Sequence, residues 1–109
     1  MKSSLENIKT RISNSGNLEK LNKDELIELI DELYVELDQL ARTDRERADS
    51  VDGFATATTN EVTRDGDTSK TLDFALKGLS SSVEELEVSH PRLASVVNRI
   101  CMMLSDIGI

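Results

Sequence analysis

The sequence predicts an all-α protein, a helical hairpin or small bundle closed by a long C-terminal helix, on three observations. In the last third, Leu72, Leu76, Leu79, Val83, Leu86, Leu93, Val97, Ile100, Leu104 and Ile107 follow one another in steps of four and three, and His90 is the single member of the series that is not apolar. A sustained 3.5-residue repeat of this kind is the mark of a helix packing along a continuous seam. A second stripe, Leu26, Ile30, Leu33, Leu37 and Leu40, has the same steps. Finally, the 38% apolar content is mainly leucine and isoleucine, with only Tyr34, Phe54 and Phe74 as aromatics. A β-sandwich of this length would draw on alternating aromatic and β-branched runs. A chain of 109 residues makes one domain of ordinary small size.

The elements follow in order. Ser3 and Glu6 have the spacing of a capping box, and Leu5, Ile8 and Ile12 share one face, so a short helix is expected over 3–13. It must end in Ser13-Asn14-Ser15-Gly16-Asn17, five turn-favouring residues in a row. A second helix is expected over 22–42, with Asn22 as its cap, Glu25 at the third helical position and Leu21 clasping Leu26. Asp24 and Glu25 complement the positive end of its dipole. Ile27, Leu29, Tyr34 and Ala41 widen the apolar stripe, so this helix touches more than one neighbour. Glu28, Asp31, Glu32, Glu36 and Asp38 lie largely off the stripe and read as a solvated face.

Residues 43–68 read as a partly helical connector. Val51, Phe54 and Thr58 keep the phase of the preceding helix, but Gly53 and the threonines Thr56, Thr58, Thr59 and Thr63 are poor helix formers. Helix is expected to about residue 60, then a loop in which Arg64-Asp65-Gly66-Asp67-Thr68 makes a turn and a cap. Asp65-Gly66-Asp67 lacks the closing glutamate of a calcium loop and reads as a turn. The last helix is expected over 69–107, with Gly108 as a left-handed cap. It has two possible interruptions: Gly78 with Ser80-Ser81-Ser82, where Ser82 and Glu85 offer a capping box, and His90-Pro91. Because the heptad phase continues through both points, one coiled-coil-like path kinked at Pro91 is expected rather than two helices.

Straight, the series 72–107 would span roughly 53 Å, and residues 22–42 only about 31 Å. The second helix cannot cover that seam, and a homo-oligomer (dimer or tetramer) is one way to bury the remainder. The 3–12 helix, the 44–62 segment and an unknown protein partner are the other occupants the sequence leaves open.

The formal charge is −8, with residues 18–42 contributing −5 and residues 1–17 contributing +2. Nucleic-acid binding needs a basic face that displaces counterions, and Lys2, Lys9 and Arg11 are the most this chain offers, so no nucleic-acid partner is expected. No apolar run is long enough to span a membrane, and no signal-peptide core is seen, so no membrane partner is expected. The lone Cys101 cannot form an intrachain disulfide and reads as a seam residue. A cytoplasmic protein of a reducing compartment is expected.

Candidate sites are few. His90, at a seam position before the only proline, reads as a group bonding the backbone at a kink. Its functional reading is a pH-sensitive or metal-responsive regulator, with Glu87, in an oligomer. A nucleophile would need Ser89 or Cys101 beside His90 with an orienting acid, and adjacent helical positions do not face each other. No phosphate loop or cofactor motif is present, so neither an enzyme nor a cofactor or metal is expected. Arg92 and Arg99, seven apart, are placed to pair with acids of a neighbouring helix. Phe74, Val88 and Met102 share one outer heptad position and read either as scattered surface residues or as a second contact face.

The segment Leu86-Glu87-Val88-Ser89-His90-Pro91-Arg92-Leu93, followed by Ile100, Leu104 and Gly108-Ile109, resembles the C terminus of a family of short bacterial proteins, the domain of unknown function 4404 family. The likeness is good over 83–109 and loose over 3–42, while 43–70 reads as an insertion or divergent connector. Leu86 stands where the family has an aromatic. The resemblance implies a bacterial origin and an all-α fold, and it implies no activity. The function expected is that of a self-associating interaction or structural module, with a metal- or pH-responsive regulator using His90 as the alternative and an accessory nucleic-acid-associated factor acting through Lys2, Lys9 and Arg11 as a weaker one.

Overall fold

A computed structural model describes residues 1–64 and 69–107. Among the described residues the chain forms five α-helices and no strand: α1 (Lys2–Asn14), α2 (Lys20–Ala41), α3 (Arg45–Thr63), α4 (Ser69–Val83) and α5 (Pro91–Ile107), with a short 3-10 turn at Glu84–Leu86. Pairs along α3 and α4 (Glu61 with Thr71, Phe54 with Gly78, Arg47 with Glu85) show the two helices running antiparallel. Tyr34 with Asp52 sets α2 antiparallel to α3, and Glu32 with Arg99 joins α2 to α5. The Cys101 thiol reaches the Leu76 carbonyl, which closes α4 on α5. The result is an up-down-up-down four-helix bundle in the ring order α2, α3, α4, α5. Helix α1 is an addition to it and packs over the α2–α3 junction.

Both apolar stripes face inward as the periodicity predicts. Leu26, Ile30, Leu33, Leu37 and Leu40 are buried, as is every apolar residue of the C-terminal series from Leu72 to Leu104, while Ile107 is half-buried at the end of α5. The path differs, because the seam is not one kinked helix. The 3-10 turn ends α4, the His90 amide donates to the Leu86 carbonyl (2.7 Å), and α5 starts with Pro91 in its first turn. Proline is well placed there, since that turn's amides have no helical acceptor. The phase continues because the link from Glu84 to His90 is seven residues long, the length of one heptad. The two halves of the series therefore face each other across a shared core. This removes the coverage argument for an oligomer, because the chain shields its own seam within a bundle 38 Å long.

The residues read as a connector form a 19-residue helix. Asp44 caps it by accepting from the Arg47 amide (3.0 Å), so the charged segment starts a new helix instead of extending α2. The threonines are accommodated by bonding to carbonyls four residues back, Thr58 to Phe54 (2.8 Å), Thr59 to Ala55 (3.0 Å) and Thr63 to Thr59 (2.8 Å). Buried hydroxyls are thereby satisfied without leaving the helix.

Three expected start signals are not used. Helix α1 begins at Lys2 with no side-chain cap from Ser3. Helix α2 begins at Lys20, so Asn22 lies inside its first turn, and Leu18 enters the core while Leu21 stays 80% exposed. The Ser82 hydroxyl donates to the Leu79 carbonyl (2.6 Å) and starts no helix. The expected turn at 65–68 and the Gly108 cap lie outside the described residues.

The break at Pro91 makes a measurable difference. In a helix interior, Pro91→Ala would restore a bond and relieve a clash, stabilising the fold by roughly 3 kcal/mol. At the first turn of α5 the expected change in urea denaturation is a loss of less than about 1 kcal/mol.

Candidate functional site

A square bundle has four outer grooves between neighbouring helices, and three of them are resolved here into surfaces of different chemistry. The α2–α3 groove is covered by α1, whose Ile8 and Ile12 are buried against it. The cover is fastened by the Asp52 carboxylate of α3, which accepts from the Ser4 hydroxyl of α1 (3.1 Å) and from the Tyr34 phenol of α2. Burial, reinforced by Asp52, raises the Tyr34 pKa well above the ordinary phenol value. The phenol therefore remains a donor. Lys9 to Asp31 (3.1 Å) adds an exposed ion pair between α1 and α2.

The α2–α5 groove is mixed, with Pro91 and Val96 beside its charged residues. Arg99 pairs with Glu32 (3.4 Å), so one of the two outer arginines does find an acid on a neighbouring helix, and that helix belongs to the same chain. Glu36, Gln39, Arg92 and Ser95 line the rest, with Val35 among them.

The α3–α4 groove is apolar, about 610 Å3 in volume, and is built on Phe54, Ala57, Phe74, Ala75 and Gly78, with Glu61 and Lys77 at its sides. Phe74 is 82% exposed and Phe54 41%. These are two of the chain's three aromatic residues. A Cβ placed on Gly78 would stand 2.7 Å from Cε1 of Phe54, so the Phe54 ring lies across α4 in space that only glycine leaves open. At one end the groove is fastened by Arg47 to Glu85 (2.7 Å).

The sequence candidates are placed as follows. His90 is half-buried where α5 begins, and its carbonyl accepts from the Ala94 amide (3.2 Å). Its link to the fold is thus through the backbone, at a helix start and not at a kink. Ser89 is exposed beside it, while Cys101 lies eleven residues along α5, roughly 16 Å away. The three are not brought together. Burial pushes the Cys101 thiol up to about 11, against reactivity. Among the described residues no group of three or more His, Cys, Asp and Glu is placed to hold a metal ion. Nor is any helix long and apolar enough to cross a membrane, again among the described residues. Phe74, Val88 and Met102, all exposed, do not form one face, because the reversal between α4 and α5 puts Phe74 by α3, Val88 in the link and Met102 by α2.

A family model described as a domain of unknown function (DUF4404) matches residues 26–109. The chain belongs to this family. Neither a curated protein nor a solved structure matches it. The DUF4404 match takes in α3, which sequence reading set aside as a connector, and leaves α1 outside. In this chain, then, the family region begins six residues inside α2, and the apolar α3–α4 groove lies wholly within it.

The Tyr34 cluster carries a pH dependence whose sign is fixed. The folded phenol stays protonated where the unfolded one ionises, near its ordinary value of 10.0. Above about pH 10 the unfolded chain therefore binds fewer protons, and stability falls as pH rises. Tyr34→Phe is expected to lose about 2 kcal/mol at neutral pH, with a carboxylate-bound hydrogen bond gone, and to flatten the decline above pH 10. Urea titrations of both proteins from pH 7 to 11 measure this, and parallel curves would contradict it.

Proposed function

We propose that this DUF4404 chain is a non-enzymatic interaction module that self-associates through its α3–α4 face, two copies forming a dimer. The observation that carries the reading is the pairing of Phe54 and Phe74 at the surface, on either side of a groove lined with alanine and glycine. A lone exposed apolar residue is ordinary, whereas adjacent exposed aromatics around a small-residue groove have the composition of an interface core. The second copy is favoured as occupant because the face carries both a projecting ring and a cavity, as a self-complementary surface must. Its size also fits. A face as long as the bundle and about 20 Å wide offers on the order of 800 Å2, the area one partner buries in a standard-size complex.

Sedimentation equilibrium at micromolar concentration tests the reading. The expected mass is twice the 12.1 kDa of one chain. Phe74→Glu is expected to give a monomer whose stability lies within about 0.5 kcal/mol of the unaltered monomer, since the ring is outside the core. A single-chain mass for the unaltered protein overturns the proposal.

A further inference from the structure

We infer that α1 is a displaceable cover and that the α2–α3 groove beneath it is a second interaction surface, one that takes a basic amphipathic helix of a partner in place of α1. This surface is separate from the α3–α4 face and does not depend on self-association.

The helix that fits is defined by the way α1 lies. Ser4 meets Asp52 and Asn17 meets the Arg64 carbonyl, so α1 runs parallel to α3. Lys9 meets Asp31 and the Ser13 carbonyl meets Lys23, so it runs antiparallel to α2. Ile8 and Ile12, one turn apart, are buried, and Leu5 is half-buried on the same face. On α3, Ala48, Ala55 and Thr59 share the Asp52 face at helical spacing and are buried, and side chains this small let a helix lie close. Charge adds to the match, since α1 carries +2 and α2 carries −5. The groove therefore selects branched apolar residues four apart, a hydroxyl one turn before them and a lysine beside them.

The ring keeps its own clasp when α1 leaves. Asp52 divides its two oxygens: Oδ1 accepts from Tyr34, which joins α2 to α3, and Oδ2 accepts from Ser4. Release of α1 breaks the second bond and leaves the first. Leu18, just past the turn at Ser15-Gly16-Asn17, is buried and anchors the chain at the foot of α2. The bonds of Lys9, Lys23 and Asn17 lie near the surface, where water replaces them at little cost. Helix α1 has no side-chain cap, and helices shorter than about 12–15 residues are marginal on their own, so the released segment melts and gains chain entropy. The family match, finally, covers α3 and all but the first turns of α2, the two walls of the groove, and leaves α1 outside.

A fluorescein-labelled peptide of residues 1–17 is the probe, added to the full chain. In the unaltered protein α1 competes from within, which lowers the apparent affinity by the fraction of molecules that are open. Ile8→Asp in the protein releases its own α1. This variant is expected to keep the helical signal of α2–α5 and to bind the peptide about tenfold more tightly or better. Lys9→Glu in the peptide is expected to weaken that binding several-fold, and less so at high salt. Hydrogen exchange of the unaltered protein is a second measurement, in which the α1 amides are expected to exchange at least about tenfold faster than those within α2 and α5. Equal peptide affinity in the two proteins, binding to neither, or an Ile8→Asp chain that loses the helical signal of the whole bundle overturns the proposal. So does α1 exchange as slow as that of the ring. Binding indifferent to Lys9→Glu overturns the basic character assigned to the partner.

Discussion

Pro91 has no amide hydrogen to give to a carbonyl one turn back, and within a helix its ring would collide with that of Glu87. A helix arriving from α4 must therefore kink at Pro91 or end before it; here it ends, and the remaining architecture depends on where. The 3-10 turn at Glu84–Leu86 and the bond from the His90 amide to the Leu86 carbonyl spend the link in a reversal. Leu86 stays in the core as the chain turns. Because α5 comes back along α4, the leucines and valines of the two halves meet, and α2 and α3 have only to close the other two sides. Ring order, antiparallel neighbours and a bundle no longer than 38 Å all follow from that reversal.

The composition of the core was legible in the sequence, and its direction was not. Spacing by four and three identifies which residues of α2, α4 and α5 face inward, because a face is a local property of one helix. It does not tell a continuing helix from one that ends and returns, when the link happens to measure one heptad. Helix α3 was obscured for a different reason. Threonine propensities describe a side chain in water, and here Thr58 and Thr59 are buried with their hydroxyls bonded to the carbonyls of Phe54 and Ala55. Tertiary burial overrides the propensity. At the start of α2, Leu21 was expected to clasp Leu26, yet it is exposed and Leu18 enters the core instead.

The same limit hid the apolar groove. Phe54 kept the phase of α2 and so looked like a seam residue, while Phe74 looked like one of three scattered outer positions with Val88 and Met102. That the two rings share one groove is a consequence of the antiparallel register of α3 on α4, and register is a property of the pair. Gly78 is the one local hint. Glycine within a helix costs about 1 kcal/mol relative to alanine, and here the cost has a visible return, a place for the Phe54 ring.

A chain with a formal charge of −8 would be expected to resist meeting its own copy, and the ring order shows why that resistance is small at this face. The most acidic segment is α2, and in the order α2, α3, α4, α5 it lies diagonally across from α4. Two of its carboxylates are also matched by cations of the same chain, Asp31 by Lys9 of α1 and Glu32 by Arg99 of α5. Two copies meeting through α3 and α4 keep their α2 helices on the far sides of the assembly, more than the roughly 20 Å thickness of one bundle apart. At physiological salt the screening length is about 8 Å, so charges at that distance hardly feel each other. The α3–α4 face itself carries aromatic rings and small residues, and its charges are matched within the chain, Lys77 by Asp73 and Glu61 by Arg64. The acidity of the chain thus works against contacts through α2 and leaves the α3–α4 face as the surface where association meets the least electrostatic opposition.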